Sequence, residues 1–272
     1  MSAIDYEAEY NNRARVAEHP ALIAGWARDA AAYRGAAQGR HDSVSYGHGE
    51  RQFIDIFRPE QAGAAATVLF VHGGYWQGLH PSSFSHMARG LNAHGITVAI
   101  PGYSLCPDVR VGEIVDEMRQ ACRVLSGHGP LVVSGHSAGG HLAACLLATD
   151  WPSLGLADRL VTAAYAISGL FDLKPLVGTT VNQALGMDEQ EAERLGPLGW
   201  NPPAGAMFDA VVGGDESSEY QRQSRTVAET WARGGVATRF EAIPGANHFT
   251  VIAPLSDPDS AMTQRIARLA RP

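Results

Sequence analysis

The residues best suited to chemistry in this sequence are a serine and the glycines around it, in the segment Gly135-His136-Ser137-Ala138-Gly139-Gly140. The apolar run before the segment, 131–134, predicts a strand, and the apolar run after it, 141–148, predicts a buried helix. A Gly-x-Ser-x-Gly sequence between a strand and a helix is typical of a sharp turn that exposes the serine hydroxyl as a nucleophile. Such a turn is so tight that a Cβ at either flanking glycine would collide with neighbouring backbone. Ser137 is therefore the predicted nucleophile for attack on a carbonyl carbon.

A general base must reach that serine, and His248 is the histidine best placed to do so. It lies in a loop directly after the predicted strand 238–243, and a loop after a late strand can bring an imidazole to the nucleophile. His136 and His141 flank the serine too closely along the backbone to approach its hydroxyl in line. We expect His136 to pack beside the turn instead.

The acid that orients the base is assigned to Asp215, which follows the predicted strand 208–212 and two glycines. A carboxylate there lies at the carboxyl edge of the sheet, where it would hold one imidazole tautomer and stabilise the imidazolium. Glu216 is the nearest alternative, and Asp172, after another strand end, is a further one. Asp209 lies within the strand pattern, so we expect it to be structural.

An acyl-transfer site also needs donors for the oxyanion, and the segment His72-Gly73-Gly74-Tyr75-Trp76 follows the predicted strand 67–71. The backbone N–H groups of Gly73 and Gly74 can approach a substrate oxygen because no side chain blocks them. Ala138, directly after the nucleophile, supplies another N–H at the start of a helix, where the helix dipole favours negative charge. These three residues form the predicted oxyanion hole.

Apolar runs alternate with helical stretches along most of the chain and predict the frame that positions these residues. The runs are 67–71, 96–100, 130–134, 161–167, 208–212 and 238–243, and the helical stretches are about 83–94, 112–126, 138–149, 218–234 and 256–270. Near-continuous apolar strands separated by helices predict an α/β fold, with a mostly parallel central sheet and helices on both faces.

Two segments depart from this alternation. Residues of about 1–40 are alanine-rich with a helical pattern, and an alternating strand at 52–58, with a short partner around 43–46, follows them. Residues of about 171–205 hold short helical pieces and four prolines, which we interpret as a small cap insertion over the site. The chain, 1–272, is thus predicted to be a single domain.

Composition excludes several function classes. The chain of 272 residues has a net charge of −7 and no basic block, so we expect a small-molecule substrate and neither nucleic acid nor a membrane as partner; a homodimer is left open. The N-terminus lacks the features of a signal peptide, and three widely spaced cysteines favour the reducing cytoplasm. Phosphate-loop, dinucleotide and metal-binding motifs are missing from the sequence, so we expect no cofactor and no metal.

With these motifs placed, residues of about 45–270 resemble the α/β-hydrolase superfamily, and more closely its kynurenine formamidase (arylformamidase) branch. The stretches 72–76, 134–142 and 167–173 carry the resemblance, together with the opening Tyr10-Asn11-Asn12-Arg13. The resemblance implies a serine hydrolase that cleaves the formyl amide of N-formyl-L-kynurenine, with Ser137, Asp215 and His248 as its catalytic triad. Where the family often has a Ser-Pro pair, this chain reads Gly196-Pro197-Leu198, which leaves the leaving-group pocket less defined.

A formyl group needs almost no acyl pocket, so Tyr75 and Trp76, beside the oxyanion glycines, are candidates to fill that space. Four further aromatic residues are candidates for a flat wall against an aromatic leaving group: Tyr103, Phe171, Trp200 and Phe249. Two other functions remain open. One is a carboxylesterase for short-chain or aryl esters, and the other is a non-catalytic binding protein on a hydrolase scaffold.

Overall fold

A computed structural model describes residues 4–61, 63 and 66–271, and eight strands in this part of the chain form one sheet. The strands are β1 His41–Ser45, β2 Phe53–Phe57, β3 Thr67–Val71, β4 Val98–Pro101, β5 Leu131–His136, β6 Val161–Ile167, β7 Met207–Gly213 and β8 Ala237–Ile243. Their order across the sheet is β1-β2-β4-β3-β5-β6-β7-β8. β2 runs antiparallel to β1 and β4, and every pair from β4 to β8 is parallel. The mostly parallel sheet confirms the predicted fold class.

Helices follow most of the strands. They are α1 Tyr6–Tyr10, α2 Asn12–Arg15, α3 His19–Ala36, α4 Ala88–Ala93, α5 Val111–Leu125, α6 Ala138–Leu147, α7 Asn182–Leu185, α8 Glu189–Leu195, α9 Ser218–Arg233 and α10 Ala261–Leu269. The helices expected from about 112, 138 and 218 onward are confirmed as α5, α6 and α9. The stretch 83–94 is helical as predicted, but its first part, Pro81–Met87, winds as a 3₁₀-helix before α4.

Alternating side chains of the strands build an apolar core on each face of the sheet. In β3, Leu69 and Val71 pack into the core that contains the apolar faces of α5, α6 and α9. Val68 and Phe70 point the other way, into the core shared with α3, α4 and α10. Successive strand residues face opposite sides, so a strand covered by helices on both faces must be apolar throughout. This explains the near-continuous apolar runs of the sequence.

The two segments that break the alternation have short helices. The helical segment expected at about 1–40 contains α1, α2 and α3, and its first three residues lie outside the described part of the chain. The segment expected at about 171–205 contains α7, α8 and two 3₁₀ turns, Lys174–Leu176 and Pro197–Gly199. Its description as a cap insertion within one domain stays a prediction.

Parallel strands bring the loops that follow them to one edge of the sheet. The loops after β3, β5, β7 and β8 carry the predicted chemical residues, and these strands are separated in the sheet only by β6. Within the described residues, no helix combines the length and the apolar character needed to cross a bilayer.

Candidate active site

Ser137 lies at the sharp turn between β5 and α6. Its backbone has φ 57° and ψ −119°, a strained conformation for a residue with a side chain, and its N–H donates to the carbonyl of Ile167 at 2.8 Å. A Cβ at Gly135 would overlap the backbone of Gly139, so the strand and the helix pass each other only because this position is a glycine. The turn aims the hydroxyl of Ser137 at the carboxyl edge of the sheet.

The structure brings His248 to Ser137, as the sequence predicts. The Nε2 of His248 lies 3.0 Å from the Oγ of Ser137, and its Nδ1 lies 2.6 Å from Oε2 of Glu216. A carboxylate only accepts hydrogen bonds, so Nδ1 carries the proton and donates to Glu216. Nε2 is then the acceptor for the Ser137 hydroxyl, which is the geometry that a general base requires.

The assignment of the orienting acid to Asp215 is wrong in its geometry, because the carboxylate beside His248 is that of Glu216. β7 ends at Gly213, and the N–H of Glu216 donates back to the carbonyl of Gly213 across a tight turn. The turn leaves Asp215 exposed at its outer corner, whereas Glu216 is 7% exposed and points inward. The Gly213 N–H, at 2.7 Å, and the Ser168 hydroxyl both donate to Oε1 of Glu216 and fix its orientation.

The other candidate acids lie elsewhere. Asp172 is half-buried and accepts a hydrogen bond from Arg222 at 3.4 Å. Asp209 lies inside β7 and accepts hydrogen bonds from two guanidinium nitrogens of Arg265, Nε at 2.6 Å and Nη2 at 2.9 Å. The buried pair confirms the expectation that Asp209 is structural.

The predicted oxyanion donors lie beside Ser137. A Cβ at Gly73 would stand 2.9 Å from the Cβ of Ser137, so the backbone of the loop after β3 touches the nucleophile. Gly74 has φ 114°, which lets the loop turn there. Among the described residues, the backbone N–H groups of Gly73, Gly74 and Ala138 make no hydrogen bond. They are therefore available to stabilise negative charge on a substrate oxygen.

Buried histidines support these loops. Burial lowers the pKa of His72 to about 3, and the ring of Tyr103 stacks on it at 4.4 Å while the Tyr103 hydroxyl donates to the His72 carbonyl. Burial also holds the pKa of His136 well below its ordinary value, so the ring is neutral and donates from Nε2 to the His248 carbonyl at 2.8 Å. His136 thus packs beside the turn, as expected, and holds the loop of His248.

A cavity of about 380 Å³ opens above Ser137 and His248. Two of the six aromatic residues proposed for the substrate pocket, Tyr75 and Phe249, line it. The prediction that the other four also line the substrate pocket is wrong. Trp76 is fully buried with its ring edge-on to His141, and Tyr103 supports the oxyanion loop from behind.

The remaining two aromatic residues also lie outside the cavity. Phe171 is fully buried and packs edge-on against Phe208 in the core. Trp200 is half-buried, and its Nε1 donates to the carbonyl of Arg194 in another surface depression. Sequence composition gave no means of distinguishing an aromatic residue that packs in the core from one that lines the site.

The cavity has one wall that the sequence did not predict, formed by the N-terminal segment, defined as residues 5–16. Asn12 is 5% exposed, and its Nδ2 donates to the Tyr220 hydroxyl at 2.9 Å. The hydroxyls of Tyr220 and Tyr75 are 2.8 Å apart, and that of Tyr75 donates to the Tyr10 carbonyl at 2.6 Å. Tyr75 has only one proton, so Tyr220 must donate to Tyr75.

This chain of hydroxyls touches the base directly. The ring of Tyr220 packs against the imidazole of His248 with 4.7 Å between centroids, and burial raises the pKa of Tyr220 far enough to keep the phenol protonated. The hydrogen bonds from Asn12 therefore reach both His248, through Tyr220, and the oxyanion loop, through Tyr75. Nothing in the spacing of Asn12 indicates chemistry, and only the family resemblance of Tyr10–Arg13 drew attention to this segment.

Two carboxylates anchor the N-terminal segment, one to Thr180 at the cavity and one to the start of α9. Glu7 accepts hydrogen bonds from the N–H and the hydroxyl of Thr180, each at 2.8 Å, and these bonds lower its pKa. Glu9 accepts from the hydroxyl of Ser218 and from the N–H of Glu219 at the start of α9. Within the described residues, no group of three or more histidine, cysteine, aspartate or glutamate side chains is arranged to hold a metal ion.

Comparison with known proteins gives consistent results. A family model described as alpha/beta hydrolase fold matches residues 68–193. The chain is similar to the kynurenine formamidase of Salmo salar, with 32% identity over 84% of this chain and 81% of the relative. It is 30% identical to the kynurenine formamidase of Danio rerio, over 83% of this chain and 80% of the relative.

Among solved structures, the chain is similar to a putative thioesterase from Silicibacter sp.. The identity is 33% and the TM-score 0.88, and the match covers 96% of this chain and 98% of that one.

Proposed function

Because the chain belongs to the kynurenine formamidase family of α/β-hydrolases, we propose that it hydrolyses the formyl amide of N-formyl-L-kynurenine to kynurenine and formate. The observation that carries the proposal is the contact between Ser137 Oγ and His248 Nε2, 3.0 Å apart beneath a cavity. Beside this contact stand three unused backbone N–H groups and the Glu216 carboxylate. The nucleophile, the general base, its orienting carboxylate and the oxyanion donors that an acyl transfer needs are therefore together at one site.

In the first half of the proposed reaction, Ser137 Oγ attacks the formyl carbon while its proton passes to Nε2 of His248. The carbonyl oxygen becomes an oxyanion and accepts hydrogen bonds from the N–H groups of Gly73, Gly74 and Ala138. Glu216 stabilises the imidazolium that forms and holds its tautomer. Loss of one oxyanion donor costs about 10²–10³ in turnover in comparable enzymes.

The tetrahedral intermediate then breaks its C–N bond. An arylamine anion is a poor leaving group, so His248 donates the proton it took to the departing nitrogen, and kynurenine leaves as a neutral amine. Ser137 keeps the formyl group as an ester. A water molecule attacks this ester with His248 again as base, which releases formate and restores the serine.

The proposal is tested by steady-state kinetics on N-formyl-L-kynurenine and on p-nitrophenyl acetate, with fluorophosphonate labelling of the same preparation. We expect labelling at Ser137 and a kcat/KM for the formyl amide at least tenfold above that for the ester, about 1.4 kcal/mol in barrier. The S137A variant removes the nucleophile, so it should show neither the labelling nor the hydrolysis of the formyl amide. Absence of labelling at Ser137 would contradict the enzyme assignment.

The same experiment separates the alternative, a carboxylesterase for short-chain or aryl esters. A faster reaction with p-nitrophenyl acetate than with the formyl amide would favour that function. A p-nitrophenyl hexanoate series extends the comparison, because a site selective for the formyl group should reject longer acyl chains.

The three cysteines are free and buried, which supports our further proposal of a reducing, cytoplasmic compartment.

A further inference from the structure

Among the described residues that line the cavity above Ser137, Arg13 has the one side chain with a permanent charge. No lysine, aspartate or glutamate joins it in the described lining. The whole chain has a net charge of −7, so a cavity whose only permanent charge is positive stands out from the charge of the protein. A single cation at the mouth of a binding cavity favours an anionic ligand.

Arg13 is exposed, and it forms no ion pair and no side-chain hydrogen bond with the described residues. The nearby carboxylate of Glu7 is engaged, because Thr180 donates to it twice and Asn11 donates to it at 3.2 Å. The Glu7 carboxylate is thus already hydrogen-bonded within the protein, whereas the Arg13 guanidinium retains all its N–H donors for a ligand.

The position of Arg13 follows from its neighbour. Asn12 is fixed by its hydrogen bond to Tyr220, and Tyr220 packs on His248, so the backbone of α2 is held against the site. Arg13, the next residue, therefore starts from a fixed point, and its side chain reaches the cavity from there. A fixed backbone lowers the entropy lost when a flexible side chain binds a ligand.

We propose that Arg13 forms a carboxylate-binding subsite, so that the protein prefers aryl amides that carry a carboxylate over neutral ones. This inference rests on the proposed function and extends it to the distal end of the substrate. The guanidinium offers two parallel N–H groups that match a carboxylate, and a pair at an exposed mouth is worth a modest factor in affinity.

Binding to the S137A protein tests the subsite without turnover, so its result does not depend on the proposed reaction. Two probes that differ only in the charge at the distal end are 4-(2-formamidophenyl)-4-oxobutanoate and its primary amide, measured by titration calorimetry or by competition. We expect S137A to bind the carboxylate probe about five- to tenfold more tightly than the neutral one. In S137A carrying R13Q, this ratio should fall to near one, and in R13E it should invert.

The matched control is R15Q, since Arg15 has the same charge on the same short helix but faces a depression behind the cavity. R15Q should keep the carboxylate preference, and 0.5 M salt should weaken that preference because exposed ion pairs are screened. No preference in S137A, or an equal loss in R13Q and R15Q, would overturn the subsite. Failure of the wild-type protein to hydrolyse any formamide would instead refute the proposed function.

Discussion

The strand-end loops and the N-terminal segment meet at one cavity but contribute to it in different ways. The loops after β3, β5, β7 and β8 supply every group in the proposed reaction, and their positions follow from the topology of a parallel sheet. The N-terminal segment supplies no reacting group. It forms one wall through Asn12 and Arg13 and is held by hydrogen bonds that cross more than 200 positions of sequence, such as Asn12 to Tyr220.

The difference teaches where chemistry and selectivity reside in this molecule. Reacting atoms must be placed within hydrogen-bond distance of one another, so they lie on the turns of a rigid sheet. Groups that select or orient need only reach the cavity, so they lie on short helices of 4 and 5 residues, α2 and α1. Substitutions in the first region should therefore remove turnover, and those in the second should adjust it.

The largest expected effect comes from the adjacent acids at the end of β7. E216Q keeps the shape of the side chain but removes the charge that stabilises the His248 imidazolium, so we expect kcat to fall by about 10³–10⁴. D215N, at the exposed corner of the same turn, is the matched control and should retain turnover within about twofold of the wild type. Steady-state kinetics on N-formyl-L-kynurenine compare the two.

The opposite result, with D215N inactive and E216Q active, would restore the original assignment of the acid. Circular dichroism of both variants shows whether either loss reflects unfolding. Because Glu216 also accepts hydrogen bonds from Gly213 and Ser168, a denaturant curve for E216Q accompanies the kinetics.

These two positions mark the limit of what the sequence could predict. Alternation of apolar runs and glycines predicted the sheet, the turn at Ser137, the oxyanion loop and the loop of His248, because each depends on local pattern and chain order. The choice between residues 215 and 216 depends on how the turn after Gly213 closes, which the pattern does not contain. Burial of Trp76 and the role of Asn12 depend on contacts far apart in sequence.

A smaller effect is expected from the hydrogen-bond chain of the N-terminal segment. N12L removes the donor to Tyr220 and leaves a buried phenol oxygen with one bond fewer, which costs on the order of 1–3 kcal/mol. If about half of that cost appears in the barrier, kcat falls about two- to tenfold while KM for a neutral aryl formamide changes little.

A double-mutant cycle with Y220F shows whether Asn12 acts through that hydroxyl. In the Y220F background, N12L should have little further effect on kcat, because the bond it removes is already absent. Full additivity of the two losses would instead mean that Asn12 affects the site by another route. N12D, which keeps the size but exchanges a donor for a charge, serves as the conservative comparison.

The smallest expected effect concerns stability and involves only the strand-end region. Burial lowers the pKa of His141, in α6 directly after the nucleophile turn, to about 4. Between an unfolded pKa near 6.5 and this value, the unfolded chain binds a proton that the folded protein does not, so stability falls as the pH falls through that window. One such histidine contributes a slope of up to about 1.4 kcal/mol per pH unit.

Urea unfolding at several pH values between 7 and 4 measures this slope. H141Q retains a donor for the Leu195 carbonyl but cannot titrate, so its slope should be smaller than that of the wild type by about one proton. Equal slopes in the two proteins would mean that His141 is protonated as readily when folded as when unfolded, contrary to its complete burial. In that case the interior behind Ser137 would tolerate a charged imidazole. The neutral state that we assign to His136, on the other side of Ser137 in the sequence, would then need to be measured as well.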